Sequence, residues 1–132
     1  MEILVEKYVQ WLERKNDFGD IMPEKRRGKK DADLQRAYEE VRQAGTRYVT
    51  PDQICRRIGA NVLKFRGKRE NITGLQICDL IAHPSHMWVR SLQNHAVRLG
   101  PYAQRIVPIL KALKYDRSHD GRISGYGVKY LP

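Results

Sequence analysis

The feature that most constrains the fold is an apolar segment, residues 73–84, with a single carboxylate near its centre. Its apolar residues cover most of a helical surface, and Asp79 shares one stripe with Gln76 and His83 at helical spacing. A helix that is apolar on nearly every face is usually buried, and a buried carboxylate needs a cation, a metal or hydrogen-bond donors. The segment therefore predicts a buried helix with Asp79 as a site residue, or else a helix in which Asp79 is a capping or salt-bridging residue at a partly exposed position.

Length, charge and cysteine content limit the class of protein. The chain has 132 residues, which suits one domain, so we expect a single domain over residues 1–132. Lys and Arg number 25 against 15 Asp and Glu, and this excess favours nucleic acid, an anionic membrane or an acidic partner without choosing among them. No apolar run is long enough to cross a bilayer and no signal peptide is evident. Because Cys55 and Cys78 lie in apolar helical patterns, we expect reduced core cysteines rather than a disulfide, in a cytoplasmic protein.

Hydrophobic periodicity predicts a chain rich in helix and poor in strand. Helices are expected at residues 2–15, from Asp31 or Asp33 to about 43, at 50–58 with Thr50 as N-cap, and at 73–83, 86–99 and 102–114. Short strands are expected at residues 18–22, 61–66 and 127–131, and Pro23 ends the first of them or keeps it at an edge. The predicted fold class is therefore α/β, helix-rich, with two or three short strands.

Each candidate acid has a basic tract next to it in the sequence, and Glu24 is the second candidate acid beside Asp79. The first tract follows Glu24 at the end of a predicted strand, and the second precedes the helix that carries Asp79. If Glu24 and Asp79 meet in space, both tracts border one pocket suited to a phosphate backbone; the alternative is two ordinary solvated loops. The candidate nucleic-acid-binding residues are Lys25, Arg26, Arg27, Lys29, Lys30, Lys64, Arg66, Lys68 and Arg69.

Three segments resemble one known family. Residues 24–33, Glu-Lys-Arg-Arg-Gly-Lys-Lys-Asp-Ala-Asp, and residues 65–84, with the core Gly-Leu-Gln-Ile-Cys-Asp-Leu, are similar to the second half of the family catalogued as domain of unknown function 3800. The ending, residues 121–132, is similar to the tail of one branch. The resemblance implies a ribonuclease H-like fold and either a metal-dependent phosphodiesterase or an inactive relative.

The same resemblance implies roles for individual residues. Glu24 matches a strand-end glutamate and Asp79 a helix aspartate of the family's acidic cluster, which implies that both are catalytic residues and ligands of Mg²⁺ or Mn²⁺. Asn71 and Gln76 would support these carboxylates or a phosphate, or satisfy loop backbone. The chain lacks the Asp-Glu-Ser-Gly motif with which that cluster begins. We therefore expect a truncated ribonuclease H-like domain that is incomplete for catalysis.

The sequence leaves three functions open. The first is a metal-dependent nuclease or its remnant, and the second is a non-catalytic, basic nucleic-acid-binding or accessory module. The third is a structural or interaction fragment, because a small sheet with uncovered edges favours self-association or pairing with a partner chain.

Overall fold

Three helices build the first of two units in the chain, and local sequence explains where they begin and end. The computed structural model describes residues 1–93 and 95–129, and the units are Met1–Ile72 and Thr73–Pro132. The α-helices of the described residues are α1 (Glu2–Lys15), α2 (Lys29–Ala44), α3 (Pro51–Arg57), α4 (Thr73–Ser91) and α5 (Pro101–Ile109). A 3₁₀ turn spans Lys68–Glu70, and a π-helical turn, Leu110–Lys114, follows α5.

Local capping residues explain the end of α1, the start of α3 and the turn that follows α2. Helix α1 has the predicted bounds, and it ends because Asn16 takes a left-handed conformation with φ 48°. The predicted N-cap of α3 is confirmed: the Gln53 N–H donates to the Thr50 hydroxyl, and the Thr50 N–H donates to the Gln53 side-chain oxygen. Gly45 follows α2 with φ 75°, and a Cβ there would lie 2.8 Å from the Val49 carbonyl, so the turn requires glycine.

The three helices share one core with the chain that follows α3. Tyr38 of α2 donates its hydroxyl proton to the Ala60 carbonyl at 2.7 Å, and the Arg42 guanidinium donates to the Ile58 carbonyl at 2.8 Å. These bonds supply partners for the backbone of a segment that lies in no helix or sheet. The buried core residues are Val5, Val9, Leu12, Tyr38, Val49, Ile54, Ile58 and Leu63.

The predicted α/β fold is wrong, because the described residues contain no sheet. Two segments that include the first two predicted strands do run parallel, and we call residues 17–25 and 58–66 the ribbon. The bridges between them are isolated, and they pair Gly19 with Ile58 and Glu24 with Arg66. The predicted third strand, residues 127–131, gives one bridge between Ser124 and Val128, and residues 130 and 131 lie outside the described ranges.

Pro23 explains why the ribbon does not become a sheet. The Lys64 N–H donates to the Ile21 carbonyl at 3.1 Å. Two residues on, the Arg66 N–H donates to the Pro23 carbonyl at 3.1 Å, and the Lys25 N–H returns a bond to the Arg66 carbonyl at 2.7 Å. A parallel ladder would need a matching return bond to the Lys64 carbonyl from residue 23. Proline has no N–H, so the ladder is interrupted at that point.

The second unit is built by α4, α5 and the chain that follows them. Trp88 of α4 is buried and stacks on Tyr115, with 5.3 Å between the ring centroids. Ala103 and Val107 of α5 are also buried. The sequence predicted a break at Pro84 and a second helix to residue 99, but α4 continues through Pro84 and ends at Ser91. Pro84 is itself buried, so its packing offsets the backbone hydrogen bond that a proline removes from a helix.

The expectation that the apolar helix is buried is also wrong. Ile77 and Leu80 are 51% and 57% exposed, and Asp79 is exposed between them. The buried residues of α4 are Pro84 and Trp88, which lie in the C-terminal half of the helix, whereas none of residues 73–83 is buried. Both cysteines are free and exposed, which corrects the expectation that they lie in a core.

Candidate nucleic-acid interface

Both basic tracts line one cleft, and this cleft lies within the first unit. It is open to solvent, has a volume of about 790 Å³ and is lined by Lys25, Arg27, Gly28, Gly67, Lys68 and Arg69. The ribbon holds its two walls side by side, because the Lys25 N–H donates to the Arg66 carbonyl at 2.7 Å. The tracts therefore meet without any contribution from Asp79, which belongs to the second unit.

The first wall is a tight loop fixed by Asp31. The Asp31 carboxylate accepts the backbone N–H groups of Arg26 and Arg27, each at 2.9 Å. Arg27 and Gly28 have φ values of 69° and 68°. A left-handed backbone costs a non-glycine residue roughly 1–2 kcal/mol, and the two charge-assisted bonds to Asp31 offset that cost at Arg27. Asp31 therefore holds the loop in one shape, whereas Asp33 pairs with the exposed Arg36 of its own helix at 3.6 Å.

The second wall is the 3₁₀ turn, and Glu70 fixes it in a comparable way. The Glu70 carboxylate accepts the Gly67 N–H at 2.6 Å, and the Glu70 N–H donates to the Gly67 carbonyl at 2.9 Å. The other carboxylate oxygen lies 3.5 Å from the Arg66 guanidinium. Asn71, a predicted supporting residue, ends the turn with a left-handed φ of 54°. Glu70 thus closes the turn that presents Lys68 to the cleft.

Ion pairing divides the predicted basic residues into two groups. Lys64 pairs with Asp20, and Arg66 pairs with Glu70. The hydrogen bond from the Lys64 side chain holds the pKa of Asp20 below its usual value, and the hydrogen bond from the Ala60 N–H has a smaller effect in the same direction. Within the described ranges the other predicted residues are exposed and make no ion pair: Lys25, Arg26, Arg27, Lys29, Lys30, Lys68 and Arg69.

The two candidate catalytic acids belong to different units. Glu24 is half-buried at the end of the ribbon, where it is bridged to Arg66, and Asp79 is exposed on α4 with Gln76 one turn before it. Among residues 1–93 and 95–129, no group of three or more His, Cys, Asp or Glu side chains is placed to hold a metal ion. The catalytic and metal-binding roles of Glu24 and Asp79, and the choice of Mg²⁺ or Mn²⁺, stay predictions.

The ribbon has one side on the core and one side in solvent. Ile21, Leu63 and Phe65 pack with the core, whereas Phe18 and Val62 are 67% and 59% exposed. Parallel strands are usually covered on both faces. Self-association or a partner chain at this element stays a prediction.

The sequence analysis missed the role of Asp31 and Glu70 in the cleft. A repeated local pattern marks both, because each wall carries glycine, two basic residues and an acid: Gly28-Lys-Lys-Asp31 and Gly67-Lys-Arg-Glu70. An acid in the third helical position is the residue that reaches back to backbone N–H groups before a helix. The pattern therefore indicates an ordered basic loop rather than a mobile one.

In comparisons with known proteins, no protein-family model, curated protein or solved structure matches the chain. The resemblance described from the sequence stays a prediction. In the part of the chain that the structure describes, no helix combines the length and the apolar character needed to cross a membrane.

Proposed function

We propose that the first unit binds the sugar-phosphate backbone of nucleic acid in the cleft between its two basic loops. The observation that carries the proposal is that Lys25, Arg27, Lys68 and Arg69 line one open cleft, although the two pairs are far apart in the sequence. Phosphate contacts carry no sequence information, so the binding is insensitive to base sequence. The proposal includes a cytoplasmic location.

The chemistry of the lining fits phosphate groups. Each wall presents one lysine and one arginine to the cleft, and these four side chains make no ion pair among the described residues. An arginine donates to two phosphate oxygens at once, and a lysine acts as a compact positive charge. Like charges that face one cleft add their fields, which raises the local concentration of a polyanion.

The test is binding of fluorescein-labelled DNA and RNA, measured by fluorescence anisotropy over a series of salt concentrations. Each phosphate contact on duplex DNA adds about 0.9 to the slope of log affinity against log salt, so contacts from all four lining cations give a slope of about 3.6. The double variant Lys68→Gln/Arg69→Gln should bind more weakly and have a slope lower by about 1.8.

A matched control removes the same charge elsewhere. Lys114→Gln/Arg105→Gln also neutralises one lysine and one arginine, both exposed and both in the second unit. This control should keep the wild-type slope. Equal losses in the two double variants, or no binding by the wild-type protein, would overturn the proposal.

Binding and cleavage are separable in the same assay. Because the cleft contains neither Asp79 nor a cluster of acids, binding should persist in EDTA and in Asp79→Asn. Cleavage of the labelled strand that needs Mg²⁺ or Mn²⁺ and disappears in Asp79→Asn would instead support the phosphodiesterase hypothesis.

A further inference from the structure

We infer that Asp31 and Glu70 are positioning residues for the basic cleft: their carboxylates hold its two walls in shape and so favour the binding of an anion despite their own negative charge. The inference rests on the proposed function, since it concerns the same cleft. It predicts that removing either acid weakens nucleic-acid binding, although the protein becomes more positive.

The Asp31 carboxylate is directed at the backbone of its own loop. Its two oxygens accept one N–H each, from Arg26 and Arg27, at 2.9 Å. Arg27 needs this support, because its left-handed φ of 69° is unfavourable for a residue with a Cβ. Without the two bonds the loop is free to leave this conformation. The backbone of Arg27 is then no longer held in the position from which its side chain lines the cleft.

The Glu70 carboxylate acts on the second wall through the Gly67 N–H at 2.6 Å. This bond joins the start of the 3₁₀ turn to its end, and Lys68 and Arg69 are the residues enclosed between them. Lys68 and Arg69, the two cations of this wall that line the cleft, therefore belong to a turn that the Glu70 carboxylate closes.

Two effects oppose each other when either acid is removed. The loss of a negative charge strengthens attraction for a polyanion, but neither Asp31 nor Glu70 lines the cleft, and salt screens exposed charges over about 8 Å at physiological ionic strength. The loss of order has the opposite sign, because a loop that is not preformed must be ordered during binding. The geometry favours the ordering effect, since both Asp31 oxygens and one Glu70 oxygen accept backbone N–H groups of the walls. The other Glu70 oxygen lies 3.5 Å from the Arg66 guanidinium.

The first experiment compares Asp31→Ala with Asp33→Ala in the anisotropy assay. Both variants remove one aspartate from the first turns of α2, but Asp31 accepts backbone N–H groups of the loop, whereas Asp33 pairs with Arg36 of its own helix. Asp33→Ala should bind labelled DNA at least as tightly as the wild-type protein, as expected when one screened negative charge is removed. Asp31→Ala should bind several-fold more weakly than Asp33→Ala.

The second experiment separates positioning from charge at Glu70. Glu70→Gln keeps an oxygen that accepts the Gly67 N–H and removes the charge, so it should bind at least as tightly as the wild-type protein. Glu70→Ala removes both and should bind more weakly, while Glu40→Ala, an exposed helical glutamate, serves as the control. The amide exchange rates of Gly67 and Arg27, followed by NMR, should rise only in the variants that lose the bond.

The outcomes distinguish the two proposals. If the wild-type protein fails to bind, or the Lys68→Gln/Arg69→Gln variant keeps full affinity, the proposed function is wrong. If both behave as expected but Asp31→Ala and Glu70→Ala bind as tightly as their controls or more tightly, the proposed function stands and the positioning roles are wrong.

Discussion

Replacing Tyr38 with phenylalanine tests how the first unit is held together. The side chain is 1% exposed, and its hydroxyl donates to the Ala60 carbonyl at 2.7 Å. The change keeps the buried ring and removes a single hydrogen-bond donor. A buried acceptor that loses its donor costs about 1–3 kcal/mol. Ala60 is only half-buried, so water replaces part of the bond, and we expect a loss of about 1–2 kcal/mol in the free energy of unfolding.

This loss is large enough to measure in a unit of this size. The unit spans Met1–Ile72, and at roughly 0.05–0.15 kcal/mol per residue its total stability is about 4–11 kcal/mol. Tyr48→Phe is the matched control, because Tyr48 is 61% exposed. A surface change of this kind stays within about 0.5 kcal/mol.

Urea unfolding followed by tryptophan fluorescence is the assay. Trp11 lies in α1 and Trp88 in the second unit, so a Trp88→Phe background leaves one reporter for the first unit. The Tyr38→Phe midpoint should fall while the dependence on urea is unchanged, since the surface exposed on unfolding is the same. A midpoint equal to that of Tyr48→Phe would show that the hydroxyl contributes no net stability and would refute the reasoning.

Three further predictions concern the first unit. Thr50→Ala should lower the free energy of unfolding by about 1 kcal/mol, because the Gln53 N–H loses its acceptor; Thr50→Ser should restore most of this in the same urea assay. Asp20 has a pKa lowered by Lys64, so its contribution is present above its unfolded pKa of about 3.9 and is lost as pH falls through the lower folded value. Acid titration of stability should therefore be flatter in Asp20→Asn, and identical profiles would contradict the pairing. Ile54→Ala, at a fully buried position, should cost about 2–5 kcal/mol in thermal melts, and a smaller loss would mean that the core collapses around the cavity.

Local signals were sufficient for α1 and for the start of α3, whereas α2 begins at Lys29, before the predicted start at Asp31 or Asp33. Apolar residues at helical spacing in α1 place Val5, Val9 and Leu12 on one buried stripe. Thr50 and Gln53 mark the start of α3 because their capping bonds join residues only three apart. Signals that act within one or two turns can be identified without knowing what packs against the helix.

The burial of α4 depended on information that a local pattern does not contain. An apolar helix is buried only where another part of the chain covers it, and in α4 the buried residues, Pro84 and Trp88, lie in the C-terminal half. The periodicity around Asp79 indicates that the helix has an apolar surface, but it does not indicate which part of the chain packs against that surface. For the same reason the burial expected around Asp79 was wrong. The start of the helix at Thr73 was predicted correctly, but its predicted end at Pro84 was not, because α4 continues to Ser91.

The sequence contains enough information to predict the basic cleft, although the sheet predicted from it does not form in the described residues. Each basic loop follows an extended segment of the ribbon, and the two segments run parallel, so the loops leave at the same end. The missing N–H at Pro23 interrupts the ladder but does not reverse either segment, because Arg66 bonds both Pro23 and Lys25 beyond the break. The direction of the chain, rather than a complete ladder, is what brings Arg27 and Lys68 to one cleft. A parallel pair of short segments therefore predicts a shared site at their ends even where a proline prevents the sheet.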